Sequence, residues 1–225
     1  MRMIYALAGV LVLLFTVASI LRTLVVPRGL YSALVNRLWS VLRATLRALS
    51  PFGGYQVQDR VQTWLAPLIL LGMLTTWLAG MLVAYTLLLH GLSELEWSVS
   101  FREAGSSLFT LGFASGERLH LSALDFLAAA TGPLVIALLI GYLPTLYGAY
   151  NRREVEVTLL QSRAGEPAWG PELLARQSLV DTETALPQLY RDWERLAADI
   201  GEGHSNYPVL LSFRSPSRTA AGWSA

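Results

Sequence analysis

The sequence predicts an all-α membrane protein: three transmembrane helices, a short helix and loop re-entering the membrane between the second and third, and a short cytoplasmic helical tail. Three observations predict it. Of the 225 residues, 53% are hydrophobic and only 15% are charged, where soluble domains carry roughly 25% charge. The apolar residues fall in three long runs rather than at amphipathic spacing. The arginines gather at particular ends of those runs.

The first run, Met3 to Ile20, is long enough at about 1.5 Å per residue to cross a hydrocarbon core of about 30 Å. Arg2 ahead of it and Val17-Ala18-Ser19 at its end also fit a cleaved signal peptide. The run is long for that, and no clear small-x-small cleavage site follows before Arg22. The second run, from Val61 or Trp64 to about Leu89, carries no charge, and Trp64, Trp77 and Tyr85 are candidate interfacial anchors. The third, from Ala123 to about Tyr150, has Asp125 at its start, an interfacial position. Thr131-Gly132-Pro133 and Gly141-Tyr142-Leu143-Pro144 interrupt it. Proline in a membrane helix frees backbone groups and favours bends.

Arginine placement sets the orientation. Arg22, Arg28, Arg37, Arg43, Arg47 and Arg60 lie between the first two runs against Asp59 alone, and Arg152, Arg153 and Arg163 follow the third. The segment between the second and third runs holds Arg102 and Arg118 with Glu94, Glu96, Glu103 and Glu117. The positive-inside rule puts the 22–60 loop and the carboxyl tail in the cytoplasm, with the amino terminus and residues 91–122 outside. All 17 basic residues are arginine, which reads as the codon composition of a GC-rich bacterial genome. The expected location is therefore an inner membrane.

The chain divides into a first span over 1–27, a cytoplasmic basic segment over 28–60, a central module over 61–150 and a cytoplasmic tail over 151–225. Within the second part, Leu30 to Leu49 has helical periodicity. Leu34, Leu38, Trp39, Val41 and Leu42 share one face and Asn36, Arg37, Ser40 and Arg43 the other. Such a helix lies on an anionic leaflet or packs on the bundle. In the tail, Pro171 to Val180 and Ala185 to Ile200 read as short helices, with Asp181 as an N-cap and Gly201 as a C-cap.

Several chemistries are excluded. With no cysteine, there are no disulfides, thiolate metal sites or cysteine nucleophiles. His90, His120 and His204 have no metal-ligand spacing. A net charge of +1 gives no reason to expect nucleic acid. There is no phosphate loop, serine elbow or His-Glu zinc motif, so neither an enzyme nor a cofactor is expected. The His90, Glu94 and Glu96 cluster reads as solvated surface.

The segment from Val99 to Glu117 carries the functional signal. Ser98 or Ser100 can cap a short helix, with Glu103 at capping-box spacing from Ser100. The helix would run through Ser106-Ser107-Leu108-Phe109. Thr110-Leu111-Gly112-Phe113-Ala114-Ser115-Gly116-Glu117 follows, too short and too polar to span as a helix. Such backbone sits at membrane depth only where it is buried in protein or lines water.

A span, a short helix, Thr-Leu-Gly-Phe-Ala and a second, bent span together resemble the pore module of the potassium-channel superfamily, specifically its bacterial two-span pore proteins. The likeness covers about Pro67 to Tyr150. In that family a pore helix dips in and a Thr-Val-Gly-Tyr-Gly loop returns, its carbonyls replacing the ion's hydration shell. The resemblance implies that Thr110, Leu111, Gly112 and Phe113 occupy the first four filter positions. It implies a homotetramer in the lipid bilayer, since four loops complete one ion site, with potassium or sodium as the permeant cation. Glu117 would add negative potential at the outer mouth. The third span would line the inner vestibule and bend at Gly132, Pro133, Gly141 or Pro144 to gate.

Two positions depart from the family pattern. Ala114 replaces the second glycine, and Ser115 stands where an aspartate is usual. An alanine forced into the left-handed region costs about 1–2 kcal/mol, multiplied over four subunits. The expectation is a cation channel of weak selectivity or a closed one. The alternative is a non-conducting signalling or assembly protein on the same scaffold. A voltage sensor is not expected, because the first span has no internal arginine series.

Overall fold

The computed structural model describes residues 1–26, 37, 40–41, 44–45, 65–114, 119–164, 169–179, 185–206 and 210. Its elements are all helical: α1 (Arg2–Leu24), α2 (Leu65–Leu92), α3 (Trp97–Leu108), α4 (Leu119–Ala164), α5 (Gly170–Leu179) and α6 (Ala185–Asn206). Three helical stretches, Arg2–Leu24, Pro67–Leu92 and Leu121–Ala164, are long and apolar enough to cross a membrane. Among the described residues the protein is thus all-helical, with three helices suited to a membrane. Of the segment 30–49, the described residues Arg37, Ser40, Val41, Ala44 and Thr45 are helical. The rest of that stretch, and Asp181, lie outside the described residues.

The chain forms two compact units, residues 1–51 with 67–143, and residues 52–66 with 144–225. The first span is thus part of the same unit as residues 67–143 of the central module. The boundary in α4 falls between Leu143 and Pro144.

In the first unit α1 and α2 run antiparallel along a seam of small residues. A side chain at Gly91 would overlap the backbone of Ala6. One at Gly9 would meet Leu88 and Ala84, at 2.8 and 2.9 Å, and one at Gly80 would meet the Thr16 hydroxyl at 2.8 Å. Lipid tails are as apolar as leucine, so membrane helices associate through close backbone approach and interhelical hydrogen bonds rather than hydrophobic burial. The seam supplies both: Trp77 Nε1–H donates to Ser19 Oγ at 3.1 Å. Trp77 is 0% exposed. It is a buried packing residue and not the interfacial anchor its position in the run suggests. Tyr85 is buried as well. Thr131 Oγ1–H is committed to the Ala128 carbonyl, so the Tyr85 hydroxyl donates to Thr131 Oγ1, 3.0 Å away on α4.

The third span, α4, begins before Ala123 and passes unbroken through Gly132-Pro133, Gly141 and Pro144, ending at Ala164. The two prolines leave the carbonyls of Ala129 and Ile140 without an i+4 donor, and the helix absorbs both. In the second unit, Ala164, Leu173 and Leu189 form a small core joining the end of α4 to α5 and α6. Gly201 lies inside α6 rather than capping it. Residues of α4 (149–156) and α6 (196–206) border an open cavity of about 620 Å³ lined by Arg152, Arg153, Glu156, Asp199 and Glu202.

Candidate functional site

The site is built on α3. Glu96 is its N-cap and makes no side-chain cap bond, so Ser98 and Ser100 lie inside the helix. The capping box inferred from the Ser100–Glu103 spacing is not formed, because both residues face inward. Ser100, Glu103, Ala104, Ser106 and Leu108 are the buried face of α3. The helix starts in an aromatic cluster. The Trp97 ring stacks on His90 at 3.9 Å, and Tyr5 meets both edge-on at 5.2–5.4 Å. His90 Nδ1–H donates to the Leu95 carbonyl at 3.0 Å, and Arg2 pairs with Glu94 at 3.5 Å. Thus His90, half-buried between Tyr5 and Trp97, ties the ends of α1, α2 and α3 together, while Glu94 and Glu96 are exposed, as a solvated surface has them. Further along, Gly105 packs on Leu82 of α2, ten residues before that helix ends at Leu92. A Cβ on Gly132 of α4 would overlap the Leu108 carbonyl oxygen.

The end of α3 is a Schellman cap: Leu111 N–H donates to the Ser106 carbonyl at 2.7 Å and Thr110 N–H to the Ser107 carbonyl at 3.0 Å. The cap residue is usually glycine, but here Thr110 takes the left-handed conformation, with φ 54°. Gly112 follows at φ 71°, and Leu111 between them is not in that region. Positive and negative φ therefore alternate along 110–113. Among the described residues, the left-handed strain anticipated at Ala114 falls on Thr110 instead.

Ser106 then anchors the loop. Its hydroxyl oxygen accepts the N–H of Phe113 and the N–H of Ala114, each at 3.0 Å. In a trans peptide the carbonyl points opposite to the N–H of the same unit. With both N–H groups turned toward α3, the carbonyls of Gly112 and Phe113 point away from it. Leu111 and Phe113 are exposed, and nothing lies within 4 Å of a Cβ placed on Gly112. The Arg102 guanidinium lies 5.8 Å over the Phe113 ring.

Behind α3 sits a pair of acids. Ser107 Oγ–H donates to Asp125 Oδ1 of α4 at 2.7 Å, and Glu103 shares a hydrogen bond with Asp125. Asp125 is buried, not interfacial, because α4 begins at Leu119, about one turn earlier than its apolar run. Glu103 is 3% exposed, and its Oε1 and the Ser100 hydroxyl have no hydrogen-bond partner. Burial, and then the neighbouring Asp125, push the Glu103 carboxyl above the usual carboxylate range.

Of the residues singled out in the sequence, Thr110, Leu111, Gly112, Phe113 and Ala114 form one loop under the cap. Ser115 and Glu117 lie outside the described residues. Gly132 is the seat for the end of α3, whereas Gly141 has open space around it. Reading the sequence missed Ser106, Ser107 and Glu103 as a set. Their signal was available: polar residues recurring at three- and four-residue spacing on a short helix between two spans.

Fold and site together define a membrane-embedded helical protein that presents a capped, backbone-lined loop between two spans. No known protein-family model, curated protein or solved structure matches the chain.

Proposed function

We propose that the chain is one subunit of a homo-oligomeric pore-loop cation channel, with α3 as a re-entrant pore helix and residues 110–116 as the ion pathway. The observation that carries this reading is the double anchor at Ser106, which turns two successive carbonyls, those of Gly112 and Phe113, to the same outer side. A row of aligned carbonyls is what replaces a cation's hydration shell. The depth of α3 supports it: Gly105 packs on Leu82 of α2, ten residues or about 15 Å below the end of that helix, half of a 30 Å core. The C-terminal, carbonyl end of α3 adds partial negative charge at the loop. The exposed Leu111 and Phe113 side chains are what packing around a shared axis would cover. In this reading four copies surround the axis in a bacterial inner membrane, the amino terminus lies outside and the tail lies in the cytoplasm. The permeant ion is potassium or sodium, and α4 bends at Gly141 or Pro144 to gate.

The test is cation flux from liposomes containing the purified chain, followed by bilayer recording in asymmetric potassium and sodium. A conductance whose reversal potential follows one cation supports a selective filter. A reversal potential near zero leaves a weakly selective pore, as Ala114 favours. Absence of flux from oligomeric protein would refute conduction. It would favour the second reading, a non-conducting signalling or assembly subunit.

A further inference from the structure

The cavity of the second unit is a candidate site in which the loop takes no part. There α6 runs back along α4, with Leu189 against Ala164 at one end and residues 196–206 beside 149–156 at the other. The space of about 620 Å³ between them falls in the size range of small-molecule sites, about 300–1,000 Å³. Leu196, Ile200 and the buried Leu210 give it an apolar wall, as such sites have.

The charged residues of its lining do not neutralise one another. Among the described residues the ion pairs are Arg2–Glu94, Arg153–Glu154 and Arg176–Glu172. Arg153 is thus held by Glu154, and its guanidinium lies 5.4 Å over the Tyr150 ring. None of these pairs includes Arg152, Glu156, Asp199 or Glu202, although Arg152 and Glu156 stand one turn apart on α4 and all four border the cavity. Opposite charges therefore share one space without meeting. Among the described residues the acids also lack the grouping that would hold a metal ion.

A ligand that satisfies this lining needs an anionic group for Arg152 and cationic groups for the carboxylates. One guanidinium against three carboxylates leaves an excess of negative charge, so the cationic groups must outnumber the anionic one. A phosphate or a dicarboxylate would meet the acids unfavourably, and a simple diamine would leave Arg152 without an anion. We propose that the cavity binds a basic amino acid, its carboxylate on the Arg152 guanidinium and its two cationic groups on Asp199 and Glu202. A planar guanidinium takes a carboxylate through two parallel hydrogen bonds. Asp199 and Glu202 are three residues apart on α6, which sets their Cβ atoms about 5–6 Å apart, room for two separate cationic groups. The site does not depend on the channel reading.

The experiment is calorimetric titration of the full chain in lipid nanodiscs with lysine, arginine, norleucine, cadaverine and phosphoethanolamine. Lysine and arginine should bind at millimolar concentration or below. Norleucine, which lacks the second cation, and cadaverine, which lacks the carboxylate, should each bind about tenfold more weakly, the loss of one charged hydrogen-bonding partner. R152Q should weaken lysine about tenfold and leave cadaverine unchanged, whereas D199N and E202Q should weaken both. The comparison of ligands on the wild type needs no variant, so it decides even if a substitution disturbs the fold. No heat from either basic amino acid overturns the proposal. Cadaverine binding as tightly as lysine, or lysine unaffected by R152Q, overturns it in favour of a site for simple cations. Phosphoethanolamine binding more tightly than lysine overturns it in favour of a lipid headgroup.

Discussion

Two glycines on one helix allow a test with an internal control. Gly132 and Gly141 both lie in α4, and an alanine at an unencumbered helix position gains up to about 1 kcal/mol over glycine. At Gly141 nothing lies within 4 Å of the added Cβ, so Gly141→Ala should be neutral or stabilising. At Gly132 the added Cβ falls far inside the 3.0 Å that real Cβ contacts respect, and the atom it meets is the backbone oxygen of Leu108, not a side chain that could rotate away. Overpacking of this kind typically costs about 1–3 kcal/mol, and a backbone clash belongs at the top of that range. After subtracting the propensity gain, Gly132→Ala should destabilise by about 2 kcal/mol, about 3 kcal/mol below Gly141→Ala.

The assay is reversible unfolding of each variant in mixed micelles, followed by tryptophan fluorescence. Leu108 is the last residue of α3, two residues from the Ser106 anchor and adjoining the Schellman cap. Pushing it off α4 should therefore also raise hydrogen exchange at Phe113 and Ala114. Equal stabilities for the two variants, or a more stable Gly132→Ala, would refute the close seating of α3 on α4. The same outcome would return Gly132 to the role of a free hinge.

Other expectations follow from single contacts. Ser106→Ala removes the acceptor of two loop N–H groups; at about 1–3 kcal/mol, exchange at Phe113 and Ala114 should speed up about 5- to 150-fold while exchange in α1 is unchanged. Thr131→Val should cost more than Tyr85→Phe, because the first leaves the buried Tyr85 hydroxyl without its acceptor and the second leaves Thr131 bonded to Ala128; equal losses in unfolding free energy would contradict the assigned donor. The raised Glu103 carboxyl favours the folded state in acid. Its contribution is complete below the ordinary carboxylate range and is lost as pH rises through the raised titration of Glu103. Thermal unfolding in detergent should thus fall with pH in the wild type relative to Glu103→Gln, and parallel pH profiles would count against it.

The spans were legible because run length and charge exclusion act through the solvent and need no partner. Positions that depend on a neighbour were not. Trp77 and Tyr85 sit in the run where an interfacial anchor is plausible, yet a buried Trp N–H or Tyr O–H needs only one acceptor. Ser19 and Thr131 supply those from helices distant in sequence. Ser100 and Glu103 satisfied the spacing of a capping box, but a cap forms only at a helix end, and the chain begins α3 at Trp97. The loop was found from Gly112 and its neighbours. What holds it was not, because Ser106 is an unremarkable serine until the backbone turns back on it.

The first span changes meaning in the same way. Read alone it is an apolar run that a signal peptide could equally explain, and the pore-module resemblance leaves it out. Yet Ala6, Gly9, Thr16 and Ser19 repeat at three- and seven-residue intervals, and each meets α2 at Gly91, Leu88, Gly80 or Trp77. A seam so spaced fixes α2 along its length, and α2 in turn positions α3 through Leu82 and the His90–Trp97 stack. Replacing Gly80 by leucine would drive a side chain into Thr16, and because lipid offers α1 an equally apolar alternative, the helices should separate rather than repack. The loop's geometry would then degrade from a substitution about 30 residues away in sequence. Exchange at Phe113 and Ala114 that stayed at the wild-type rate in Gly80→Leu would show that α1 is only an appendage to the site.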